Sequence, residues 1–191
     1  MSSQMVTARL PWQDRWNQPT VERLLEPLDD DARSGLLQLV ELMDTFENVE
    51  RELVWYGESW KWTIHYYLAG EGRTRQNIQT MAYIVPRDEQ SLVCVPMRQE
   101  MIDDLPMRRL TKFIREGVTS AKCAVEIHWA NWTPGNATEF NTLVDLLRRL
   151  VDVDPRRLNP GGTGPMDLVC IWCRADVAIL HADGCAWAEA D

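Results

Sequence analysis

The chain has 191 residues, 45% of them hydrophobic and 26% charged, which suits one domain with an extension better than two full domains. Its 29 acidic against 20 basic side chains give a formal charge of -9. That balance repels a phosphate backbone, and no membrane-length apolar run or signal-peptide pattern is visible, so a cytoplasmic protein binding neither nucleic acid nor membrane is expected.

Residues 1–19 carry Trp12 and Trp16 between Pro11 and Pro19 and read as an irregular arm. Thr20 can cap a short helix that Pro27 stops. Asp29, Asp30 and Asp31 offer a cap and acidic first turn to a second helix, whose stripe is Leu36, Leu39, Val40 and Met43. From Glu50 the period changes from helix to strand. Leu53 to Tyr56, Lys61 to Leu68, Met81 to Val85 and Ser91 to Met97 predict a four-strand antiparallel meander.

A helical region from Gln99 breaks at Pro106 and is expected to resume over Met107 to Glu116. A fifth strand is expected from Cys123 to Trp129, and Leu143 to Val151 predict a closing helix that ends at Asp154-Pro155. The fold class is therefore α+β: a mostly antiparallel sheet of about five strands, with helices on one side and the other face partly wet. Residues 20–154 form the domain. Residues 155–191 read as a short β-containing extension packed on it, with strands at Leu168 to Trp172 and Val177 to Leu180.

The segment Trp55-Tyr56-Gly57-Glu58-Ser59-Trp60-Lys61-Trp62, its continuation to Tyr67 and the strand end Tyr83-Ile84-Val85-Pro86 resemble the YdhG-like and related small bacterial α/β families. The resemblance spans about residues 20 to 152. It implies a helix before an aromatic meander, closing helices and no assigned activity.

Two constellations carry chemistry. On the Lys61 to Leu68 strand, Lys61, Thr63, His65 and Tyr67 share the face opposite Trp62, Ile64, Tyr66 and Leu68. With Glu126, His128 and Trp129 they are candidate ligand-binding residues, because imidazole, carboxylate and aromatic walls suit a small-molecule pocket. His65, Glu126 and His128 could alternatively hold zinc or iron. Alternation alone also produces such a polar face on a sheet wetted by solvent.

Cys170, Cys173, His181 and Cys185 form the second constellation, a donor set that zinc favours. Buried small thiols and a surface histidine are the simpler explanation. Gly161-Gly162-Thr163-Gly164 lacks the following lysine of a phosphate loop. With no assembled nucleophile and base, the leading expectation is a ligand- or partner-binding domain rather than an enzyme. A metal protein and a homo-oligomer, such as a homodimer, are the alternatives.

Overall fold

The computed structural model describes residues 10–68, 79–87 and 90–152. After a single turn of 3-10 helix at Pro11–Gln13 comes α1 (Val21–Leu25), where Thr20 Oγ1 accepts the Arg23 amide at 3.3 Å. Helix α2 (Asp30–Asp44) starts where Asp29 Oδ1 accepts the Ala32 amide at 2.8 Å. Asp30 and Asp31 then face the positive end of the helix dipole.

The strands are β1 (Val49–Trp55), β2 (Trp62–Leu68), β3 (Gln79–Val85), β4 (Leu92–Arg98), β5 (Lys122–Ala124) and β6 (Ile127–Trp132). They form one antiparallel sheet in the order β1-β2-β3-β4-β6-β5. A one-turn helix, α3 (Gly57–Trp60), joins β1 to β2. Helices α4 (Gln99–Asp103) and α5 (Lys112–Thr119) lie between β4 and β5, and α6 (Ala137–Asp152) follows β6.

One sheet face, with Trp62, Ile64, Tyr66, Val95, Met97 and Trp132, shares the main core with apolar residues of α2, α5 and α6. Gly35 on α2 lies against the Phe140 ring and Gly117 on α5 against the Trp132 ring, where a Cβ would collide. Trp132 Nε1 donates to the Ile114 carbonyl at 3.3 Å, tying β6 to α5.

Three expectations need correction. Met107 to Leu110 are turn rather than helix, because Pro106 interrupts the chain and Thr111 caps the next helix by accepting the Ile114 amide at 3.4 Å. The expected fifth strand is two strands, making six among the described residues. Val125 and Glu126 reverse the chain between them at φ 50 and φ 65. That turn type normally announces itself by Asn or Gly, and here neither is present.

The second sheet face is not wet. Tyr83 and Cys94 are fully buried there, and Tyr56, Trp60, Val85, Leu92, Ile127 and Trp129 make a second apolar cluster around them. Among the described residues no helix is long and apolar enough to cross a membrane.

Candidate functional site

The strand registers set a row of side chains across this second face. Glu52 pairs with His65, His65 with Tyr83, Tyr83 with Cys94, and Cys94 with Asn131. His65 is the polar centre of the row and is only 4% exposed. Its Nδ1 lies 3.2 Å from both Glu52 Oε1 and the Tyr56 hydroxyl, and its Nε2 lies 2.9 Å from Thr80 Oγ1. Thr80 Oγ1 is in turn 3.2 Å from the Tyr83 hydroxyl. The chain Tyr83 O–H to Thr80, Thr80 O–H to His65 Nε2, and His65 Nδ1–H to Glu52 gives each of these donors an acceptor.

The connectivity carboxylate–imidazole–hydroxyl is that of a nucleophilic triad, but the setting is wrong for one. Thr80 is 3% exposed and already engaged by Tyr83, whereas an attacking hydroxyl must reach a substrate carbonyl beside oxyanion donors. The network instead ties β1, β2 and β3 together. Around it the Tyr83 ring stacks on His65 at 4.7 Å and 13°, on Trp129 at 6.0 Å and 24°, and meets Trp60 edge-on at 5.3 Å. Burial pushes the Tyr83 phenol well above its ordinary pKa, with Tyr56 adding to the rise, and burial likewise raises the Cys94 thiol.

The residues expected to bind a ligand therefore separate. His65 and Trp129 meet through Tyr83, and Thr63 is buried with Oγ1 donating to the Trp60 carbonyl at 3.1 Å. Tyr67 stays beside His65, their ring centroids 5.4 Å apart, but it is half-buried with its hydroxyl donating to Glu50 Oε2 at 3.0 Å. His128 pairs with Met97, a main-core residue, and so lies on the helix-covered face, opposite His65. Two strands separate the histidines, about 14 Å at the usual strand spacing. Glu126 is exposed at the tip of the β5–β6 turn.

His65, Glu126 and His128 thus do not converge. Among the described residues there is no group of three or more His, Cys, Asp or Glu that could hold a metal. Cys170, Cys173, His181 and Cys185 lie outside the described residues, as does the extension from residue 155.

Trp129 Nε1 is a buried donor with no acceptor, the one such side-chain atom among the described residues. Such a group ordinarily costs about 1–3 kcal/mol.

Lys61 belongs to a different feature. A cleft of about 540 Å³ opens where α3, the β3–β4 connection, the N-terminal turn and the end of β6 meet. Among the described residues its charged ones are Lys61, Arg87 and Glu58, and Trp12, Trp60 and Pro86 help to wall it. Its volume is that of a small-molecule site. Arg87 is half-buried and donates through Nη2 to the Ser59 carbonyl at 3.1 Å; loss of water lowers its pKa. Trp60 joins the cleft to the buried cluster through its contacts with Tyr83 and Tyr56.

Lys61 holds a backbone of φ 53 and ψ -142, near a region that only glycine occupies freely. The conformation follows from the α3 turn. The Lys61 amide donates to the Gly57 carbonyl at 2.7 Å, and the Lys61 carbonyl accepts the Tyr56 amide at 3.0 Å. A glycine would meet both bonds without strain, so the lysine places an ammonium-bearing side chain at the cleft at a backbone cost of about 1–3 kcal/mol.

Arg87, Glu58, Trp12 and Thr133 were not among the residues expected to form a site. They become neighbours only because the arm and two hairpin ends meet at one edge of the fold. Glu52, opposite His65, follows from hairpin register once the α3 turn is known. Comparison with family models, curated proteins and solved structures finds no match to this chain. What the fold defines is a six-stranded antiparallel α+β domain with helices on one face and a buried aromatic cluster on the other.

Proposed function

We propose that the domain binds a small molecule in the cleft between α3 and the β3–β4 connection and performs no chemistry on it. The observation that carries this reading is the strained, non-glycine backbone at Lys61 on the wall of that cleft. Backbone strain of this kind clusters at ligand clamps and other functional sites, and here the side chain it presents is charged. Supporting it, Trp12, Trp60 and Pro86 wall a cleft of ligand size whose remaining lining is mostly polar or charged, a surface that can hold a polar molecule. The His65 network supports the non-catalytic part, since its hydroxyl is sealed from substrate.

The test is ligand-observed saturation-transfer NMR with a fragment library on the full chain and on Thr133→Trp. Thr133 is an exposed cleft residue, so the larger ring obstructs the cleft without entering the core. Fragments that bind the native chain and are lost from the folded variant support the reading. Fragments retained by the variant, or none bound by either chain, contradict it.

A further inference from the structure

We infer that Cys123, His128 and Met97 form a binding site for a soft monovalent metal ion, copper(I). Strand register sets the three in one row across adjacent strands: Cys123 of β5 pairs with His128 of β6, and His128 pairs with Met97 of β4. Directly paired residues share a sheet face, with Cβ atoms about 5 Å apart. An ion on the middle imidazole is therefore within reach of a short thiolate on one side and a longer thioether on the other. The row stands apart from the cleft at Lys61, which none of the three residues lines.

Exposure falls along the row in an order that suits entry from the sheet edge. β5 is the edge strand of the described sheet, and its Cys123 is an exposed free thiol. His128 is half-buried and Met97 fully buried. Both ring nitrogens of His65 are occupied, whereas among the described residues no hydrogen bond or ion pair takes the His128 ring.

The donor set selects the ion. Thiolate and thioether sulfur are soft ligands that favour copper(I), and imidazole suits copper as well. Structural zinc takes four ligands and draws on cysteine, histidine and carboxylate rather than thioether. Charge points the same way. Cys123 gives up its thiol proton as the sulfur–metal bond forms, so thiolate and monovalent ion together are neutral. A divalent ion would keep a net positive charge against the buried Met97, where desolvation makes it costly.

The experiment uses the full chain, reduced and free of oxygen, with 15N amides and 13C-methyl methionine. It is titrated with silver(I) as a redox-inert probe of the same class, with copper(I) and with zinc(II). The Met97 methyl, the His128 ring protons and the Cys123 amide report this row apart from Cys170, Cys173 and Cys185. The expected result is saturable shifts of all three signals with silver(I) and copper(I), and an unmoved Met97 methyl with zinc(II). Cys123→Ser and His128→Gln should each weaken silver(I) here at least about tenfold, since even outer-shell changes at metal sites cost that much. Met97→Leu nearly keeps the core volume and should weaken it less, with the Cys123 amide still shifting.

Shifts of Cys123 and His128 that leave the Met97 methyl unmoved would overturn the three-donor site. Saturation of the row by zinc(II) as tightly as by silver(I) would overturn the copper(I) class. None of the three signals moving with silver(I), or binding unchanged in Cys123→Ser, would overturn the site altogether.

Discussion

Replacing Lys61 by glycine should stabilise the fold while disabling the cleft. The native backbone at φ 53 and ψ -142 costs a non-glycine residue about 1–3 kcal/mol, and glycine removes most of that. Against it stands the greater freedom of glycine in the unfolded chain, about 0.5–1 kcal/mol. The two hydrogen bonds that fix the turn, Lys61 N–H to Gly57 and Tyr56 N–H to Lys61, involve backbone atoms alone and survive. The net expectation is a gain of about 1 kcal/mol, or roughly 2–4 °C in Tm for a chain of this size.

Lys61→Ala is the control, since it removes the ammonium but keeps the strain. Urea denaturation of the three chains, followed by far-UV circular dichroism, measures both differences. The reasoning is refuted if Lys61→Gly is less stable than the native chain, or if Lys61→Ala gains as much as the glycine.

Three further outcomes rest on the same strain, burial and hydrogen bonding. In the β5–β6 turn, Val125→Asn with Glu126→Gly supplies residues that accept positive φ, and should raise stability by about 1 kcal/mol in urea unfolding; a loss would mean that the strain is not there. Trp129 and Trp132 are equally buried, but only Trp132 has an acceptor for its indole N–H, so Trp132→Phe should cost about 1 kcal/mol more than Trp129→Phe. Equal losses would show that Trp129 Nε1 is hydrogen-bonded in solution. Burial, aided by Asp44 at Tyr66 and by Tyr56 at Tyr83, raises both phenols in the folded state. Their contribution is therefore complete below the unfolded tyrosine pKa of about 10 and is lost as pH climbs above it. Of the four tyrosines, these two should show phenolate absorbance only as the circular dichroism signal collapses; four ionisations near pH 10 in a folded chain would contradict this.

The helices at Val21–Leu25, Asp30–Asp44 and Ala137–Asp152 and the meander from Val49 to Arg98 were legible because each rests on local signals: caps, stripes and alternation. The division of β2 into a core side with Trp62, Ile64 and Tyr66 and a second side with Thr63 and His65 was legible for the same reason. Alternation could not say whether that second side is wet. Its burial depends on Tyr56, Tyr83 and Trp129, which arrive from three other parts of the chain. Nor could it show that His65 and His128 take opposite faces, because the register of β6 against β4, which sets His128 beside Met97, decides that. Lys61 was picked as a neighbour of His65 on a polar strand face. In the fold it lines the cleft instead, because its positive φ breaks the alternation just before β2 begins.

The most direct test of a ligand site at Lys61 is a crystal structure of the full chain soaked with its tightest-binding fragment. The expected result is the fragment in the cleft beside Lys61, with its body against the Trp60 wall. A fragment seated elsewhere would contradict a ligand site there.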